Sequence, residues 1–474
     1  MSRAVVARNF SIQIIARILA VLVGLVSIGI MTRVLGTSGF GEYTTAITFL
    51  QLFAVVVDFG LTLTLVVMIS EEKANIERVI GNIFAMRMIT GALVLILAPI
   101  TVLALPWSDT IKEAVFIGTF GYILMGGATL LVGVFQRYQS MWRAGLAEII
   151  NRLVLLALIA GFAWFHLGVV AMVAASVIAN AVWLYFMFRL ARPFVRIRFL
   201  LEWNVWREVW KRSWPIAISI FFNLLYLKGD ILFLAFYRSQ TDVGLYGVSY
   251  RFIDMLTSLP VMFMGIMLPL AVTFWSRGEK KEFQVQVART FDFFMIAAIP
   301  IVVGTQVIAQ PLMHLIAGPG YEQSAEILKL LIFAIFGVFL GALFGHLVVA
   351  INKQRQMTWG YVIVAILSVI GYFIFIPPYG IWGAVWMTLF SEALIALITF
   401  GVIYYTTGAR PSLTVSFKAL TASLVMLISL LLFAPLGVII NLLIGGIVYL
   451  AAMIAIKGID LKDLRSLIGS KQAS

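Results

Sequence analysis

Stretches without a single Asp, Glu, Lys or Arg recur along the whole chain, at 88–108, 114–136, 153–188, 255–276, 293–321, 330–352, 356–391, 393–409 and 419–456. A helix needs about 20 apolar residues to cross roughly 30 Å of hydrocarbon, so runs of this length are membrane spans. Composition agrees: 62% of the residues are apolar and 12% charged, where a soluble domain has about 45–50% and about 25%. A water-soluble globule is excluded, and so is a disordered chain, which lacks this much apolar surface.

Three of the runs are too long for one span and carry an internal break: Phe165-His166-Leu167-Gly168, Pro377-Pro378-Tyr379-Gly380 and Pro435-Leu436-Gly437. Pro and Gly punctuate a chain at such turns. Adding the more polar segments gives an all-α polytopic membrane protein of about 14 helices, centred near 22, 55, 93, 125, 154, 178, 226, 260, 301, 338, 366, 392, 424 and 447. The first apolar stretch is interrupted by an arginine and followed by no small-residue cleavage site, so it is expected to stay as a span.

The formal charge of +13 comes in small groups between the spans, a loop pattern rather than a nucleic-acid surface. With a cytoplasmic N-terminus, the inner loops hold nearly all of the basic residues, seven of them between 189 and 212, and the outer loops keep Arg33, Lys112 and Arg238. This asymmetry predicts a multi-pass protein of the cytoplasmic membrane with both termini inside, as an even span count requires. In the basic stretch 189–213, Trp203, Trp206 and Trp210 recur at helical spacing beside Arg207, Lys211 and Arg212. That spacing predicts an amphipathic helix in the inner headgroup layer. It serves either as a linker coupling two halves or, more plainly, as an interfacial anchor.

A shift of 203 residues lays GFGEYTTA (39–46) on DVGLYGVS (242–249), superposing Gly41 on Gly244 and Tyr43 on Tyr246. Both copies open the second helix of a six-helix set, which predicts a parallel repeat with substrate between its halves. The expected parts are an N-lobe over 1–190, the basic linker 191–213, a C-lobe over 214–406, two further helices over 407–458 and a cytoplasmic tail 459–474.

Several chemistries are missing. There is no cysteine, hence no disulfide, thiolate metal site or Cys nucleophile. There is no phosphate loop, no G-x-S-x-G elbow, and no metal-ligand spacing among His166, His314 and His346. The outer loops are too short to hold a transferase's substrate. No enzyme, no catalytic residues, no resident metal and no bound cofactor are expected.

Charges inside the spans cost at least about 2.5–3.5 kcal/mol each at mid-bilayer and call for a partner or water. Arg17, Arg87 and Arg152 stand at one depth on the first, third and fifth spans. They could line an inward-facing cationic site, where a planar guanidinium makes bidentate bonds to a diphosphate. The structural alternative pairs Arg152 with Glu148, and Arg17 or Arg87 with Asp58. Lys228 and Asp230 on the seventh span, with Arg251 and Asp254 on the eighth, offer either further cations for substrate or an ion-pair network. Asp58, Asp230, Asp254 and Glu392 could carry H⁺ or Na⁺ if transport is coupled.

RVLGTSGFGEYTTAITF (33–49) followed by VVDFGL (56–61) resembles the opening of the polysaccharide-exporter and O-antigen flippase family. So do DILFLAFYRSQTDVGLYGVSYRF (230–252), MLPLAVTFWSR (267–277), GPGYEQSAEILKLL (318–331) and IPPYGIWGAVWMTLFSEAL (376–394). That family belongs to the multidrug/oligosaccharidyl-lipid/polysaccharide (MOP) superfamily. The resemblance implies two six-helix lobes around a central cavity that moves a polyprenyl-diphosphate-linked glycan outward by alternating access. It implies membrane lipids as surroundings, and a glycan polymerase and glycosyltransferases as working partners. Within the same superfamily, a lipid II flippase and a multidrug (MATE-type) cation antiporter are the alternatives.

Overall fold

The computed structural model describes residues 3–71, 75–433 and 437–459, with the side chains of 3–18, 215 and 266 outside that description. Fifteen helices and no strands occur among the described residues. They run α1 (Arg3–Asp58), α2 (Leu61–Ser70), α3 (Ile76–Leu103), α4 (Asp109–Arg137) and α5 (Met141–Trp164). Next come α6 (Val169–Ala191), α7 (Trp203–Tyr237), α8 (Gln240–Ser276), α9 (Lys280–Ile316) and α10 (Glu322–Leu331). The last are α11 (Ala334–Ala350), α12 (Gln354–Tyr379), α13 (Ile381–Thr407), α14 (Thr414–Leu432) and α15 (Val438–Ala455).

Among the described residues, 11 helices can cross a membrane by length and composition, or up to 13 if each bent pair is one span. All fourteen expected centres fall inside helices. The difference in count falls on residues 19–70, a 52-residue stretch that at about 1.5 Å per residue is more than twice as long as a bilayer is thick. It breaks at Gly36, whose φ of 66° and ψ of −176° suit a residue without Cβ, and again at Phe59-Gly60.

The turns expected at Phe165–Gly168 and Pro377–Gly380 separate α5 from α6 and α12 from α13; of the third, Pro435 and Leu436 lie outside the described residues, and Gly437 precedes α15. The second is tighter than its sequence suggests. Pro377 and Pro378 lie in the last turn of α12, and the reversal is made by Gly380 alone, at φ 57°.

The amphipathic helix expected over 189–213 is not there as one piece. α6 runs on to Ala191, residues 195–202 are outside any helix, and the helix restarts at Trp203 as the unbroken beginning of α7. The non-helical part is held by groups distant in sequence. Arg196 N–H donates to Glu77 Oε1 (3.1 Å) and Glu202 N–H to Asn82 Oδ1 (2.7 Å). The Arg198 carbonyl passes so close to Gly81 that a Cβ there would sit 2.5 Å from it. Val195, Val205 and Val209 join a core that Leu61, Leu65, Phe84, Leu131 and Phe135 build from α2, α3 and α4.

The chain forms two compact units: 1–247 with 316–320 and 365–384, and 248–315 with 321–364 and 385–474. Inside the first unit the two repeat copies meet reciprocally. A Cβ on Gly41 would lie 1.7 Å from the carbonyl oxygen of Gln240, and one on Gly244 would lie 1.9 Å from that of Thr37. Thr37 and Gln240 are themselves 203 residues apart. Residue i touches j + 203 as j touches i + 203, the signature of a local two-fold relation. The backbones cross where only glycine fits.

Candidate functional site

The second span breaks at Asp58-Phe59-Gly60, and the break assembles a site. α1 ends at Asp58; Phe59 takes φ 45° and Gly60 φ 70°. A positive φ on a phenylalanine is strained by about 1–3 kcal/mol and persists only where its surroundings enforce it. Here α7 does so: Phe59 stacks on Trp210 with ring centroids 4.4 Å apart, and Gly60 packs so closely on Ile216 that a Cβ would lie 2.9 Å from its side chain.

The break turns the Asp58 carboxylate toward α3. Arg87 Nη1 donates to Asp58 Oδ1 at 2.6 Å and Thr62 Oγ1 donates to the same oxygen at 2.9 Å. Arg87 is 6% exposed and Asp58 24%. The Arg87 Nε is buried without a hydrogen-bond partner among the described residues and faces α4 at Gly126, where a Cβ would lie 3.0 Å from it. Removing one partner of a buried ion pair costs about 3–5 kcal/mol, because the other charge stays behind in low dielectric. The spatial answer to Asp58 is therefore Arg87. The side chain of Arg17 lies outside the described residues.

Arg152 occupies the same register on α5 that Arg87 occupies on α3, eleven residues past the first residue of its helix in each case (76 to 87, 141 to 152). Its surroundings differ. Arg152 Nη2 stands 3.8 Å from Glu148 Oε1, with side chains 40% and 35% exposed. That is a loose pair which leaves guanidinium donors open.

The second-copy residues are arranged differently. Asp230 on α7 is fully buried, accepting from Tyr246 Oη at 2.5 Å and from the Ile231 N–H at 2.8 Å. Tyr246 is the repeat tyrosine, so the motif residue serves to hold a buried acid. Lys228 on α7, and Arg251 and Asp254 on α8, are partly buried. Glu392 on α13 is buried and presses on α11 at Gly337, where a Cβ would lie 2.6 Å from its backbone.

Residues not proposed as site residues from the sequence complete the picture. Arg78 on α3 pairs with Glu202, which also accepts from Asn82 Nδ2 at 3.1 Å. These hydrogen bonds, Arg78's first, hold the Glu202 carboxyl below its usual range. Arg33 Nη1 donates to the last carbonyl of α9, Ile316, at 2.6 Å. Arg238 Nη2 donates to the Pro377 and Pro378 carbonyls ending α12, at 2.6 and 3.0 Å. Cations there meet the negative helix end and its orphan carbonyls. The rarity of basic residues in the loops expected to face outward was the sequence signal available. No group of three or more His, Asp or Glu able to hold a metal occurs among the described residues.

Residues 6–275 match the family described as polysaccharide biosynthesis protein. No curated protein matches the chain. Among solved structures, the lipid II flippase MurJ in an inward closed conformation is similar with a TM-score of 0.74 at 14% identity, over 94% of this chain and 97% of that one. A multidrug resistance MATE family transporter of the MOP superfamily, inward-facing, is similar with a TM-score of 0.67 at 13% identity, over 82% and 95%. A MOP superfamily transporter from Pyrococcus furiosus, described by the reverse polarity of its binding pocket, gives 0.64 at 13% identity, over 85% and 96%.

Proposed function

The chain belongs to the polysaccharide biosynthesis protein family, and from that premise we propose that it flips a polyprenyl-diphosphate-linked oligosaccharide from the inner to the outer leaflet. Its all-helical multi-pass fold, shared with flippases and transporters of the MOP superfamily, supports the transport half of this proposal. The observation that carries the anionic half is Arg152, a cation inside a span whose ion pair with Glu148 is long and half-exposed.

The physics defines the task. Each sugar hydroxyl taken bare into hydrocarbon loses its hydrogen bonds at a cost of several kcal/mol, so an unaided glycan does not cross. A hydrated path for the glycan removes that barrier while the polyprenyl tail stays in lipid. Arg152, together with Arg17 at the same depth, offers bidentate donors to the diphosphate. Arg87 is committed to Asp58 and sets the shape of the break. Alternating access then passes the substrate outward, and Asp230 and Glu392 are the buried acids available if an ion is coupled.

The likeness to a lipid II flippase supports a second reading, since lipid II also presents a diphosphate. A carrier of organic cations is less well served by a half-exposed arginine at that depth. The test is transport by the full chain in proteoliposomes, offered a fluorescent polyprenyl-diphosphate oligosaccharide, lipid II and rhodamine 6G in separate arms. Translocation of the first supports the proposal. Translocation of lipid II alone moves the assignment to the second reading, and of the dye alone overturns both.

A further inference from the structure

We propose that the outward face of residues 192–214 is a docking surface for the headgroups of anionic phospholipids. The segment is an ordered edge, not a loose connection. Over residues 195–198 burial alternates, with Val195 and Ile197 turned into the core and Arg196 and Arg198 exposed, a period of two. Its backbone is fixed to α3 through Glu77, Gly81 and Asn82. In the first turns of α7 the period changes to that of a helix, but the division of labour stays. Val205 and Val209 face inward, while Arg207 and Lys211 are exposed. Trp203, Trp210 and Trp214 are 75%, 51% and 48% exposed.

The face is cationic. Seven cations (Arg78, Arg192, Arg196, Arg198, Arg207, Lys211 and Arg212) stand against four carboxylates (Glu71, Glu77, Glu202 and Glu208), an excess of three positive charges. Glu202 is held by Arg78 and Asn82, Glu208 and Glu71 by Arg212 at 2.5 Å each, and Glu77 caps the Arg196 N–H. Arg192, Arg196, Arg198, Arg207 and Lys211 form no ion pair among the described residues. Five cations outside any such ion pair, with a net excess of three positive charges, beside three exposed indoles on one face match a phosphate diester layer above acyl chains. Basic residues there attract negative lipid, and tryptophan sits at the headgroup level. The same groups explain why the period-2 and helical portions need not form one amphipathic helix. The partner they face is a charged plane, to which a non-helical and a helical strip fit equally.

The test uses the full chain purified in a mixture of phosphatidylglycerol and phosphatidylcholine, with retained lipid counted by native mass spectrometry. Wild type retains phosphatidylglycerol over phosphatidylcholine by roughly tenfold or more, each cation near the surface contributing to the attraction. The quadruple variant R196Q/R198Q/R207Q/K211Q loses that preference. R196Q/R198Q and R207Q/K211Q each lose part of it, which keeps the test available if the quadruple variant does not accumulate. The charge-retaining R196K/R198K keeps it. No preference in wild type, or an unchanged preference in both double variants, overturns the proposal.

Discussion

Arg87 and Arg152 stand at the same register on neighbouring odd spans, and the structure gives them opposite circumstances. Arg87 is buried against Asp58 at 2.6 Å, on a carboxylate delivered by a break in another helix. Arg152 is half-exposed and 3.8 Å from a glutamate one turn away on its own helix. The source of the partner makes the difference. A carboxylate brought in by tertiary structure fixes a guanidinium, where a neighbour at i−4 only shadows it. In the proposed function, the first arginine belongs to the frame and the second is offered to the substrate anion.

The comparison breaks most visibly at Arg87. Arg87→Ala is expected to lower stability by about 3–5 kcal/mol, as removing one partner of a buried pair does, read as the unfolding midpoint of the detergent-solubilised protein. The double variant D58A/R87A is expected to recover more than half of that loss, since no buried charge is left alone. Equal losses in single and double variants would show that the pair is not what Arg87 is for.

Gly126→Ala tests the same site from the α4 side. A Cβ would stand 3.0 Å from Arg87 Nε, so crowding of about 1–3 kcal/mol is partly offset by about 0.5–1 kcal/mol of helix preference. A net destabilisation of about 1 kcal/mol is expected, and a stabilised variant would mean that the guanidinium is free to move.

A third pair sharpens the contrast by lying in water. The Glu202 carboxyl is held below the ordinary glutamate range by hydrogen bonds from Arg78 and Asn82. A depressed acid contributes its stability above the unfolded value, near about 4.3, and loses it as pH falls through the folded value. Wild type is therefore expected to lose slightly more stability than Glu202→Gln on acidification below about pH 4.3, measured as the difference between their unfolding midpoints. The effect is small because the group is exposed, and identical pH profiles would remove Glu202 from the ties that hold the non-helical segment.

Much of this was legible in the residues. The turns at 165–168, Gly380 and Gly437 follow from Pro and Gly between apolar runs. The weak repeat read from Gly41 and Gly244 turned out to mark the place where two backbones cross reciprocally. What stayed hidden depends on groups far apart in sequence. Depth along a span says nothing of azimuth, so Arg17 and Arg87 were equal candidates for Asp58 until the break at Phe59-Gly60 aimed the carboxylate at α3. The tryptophan spacing at 203, 206 and 210 does mark a helix. Residues 195–202 are pulled out of it by Glu77, Gly81 and Asn82, more than a hundred positions upstream.

The claim that Arg152 serves the substrate while Arg87 serves the frame is tested most directly by Arg152→Ala, with stability and translocation of a polyprenyl-diphosphate oligosaccharide measured on the same proteoliposomes. A half-exposed pair is worth about 0–1 kcal/mol, so the unfolding midpoint should stay within about 1 kcal/mol of wild type while translocation falls roughly tenfold or more, the loss of one charge-assisted contact. Wild-type translocation by the folded variant would contradict the account.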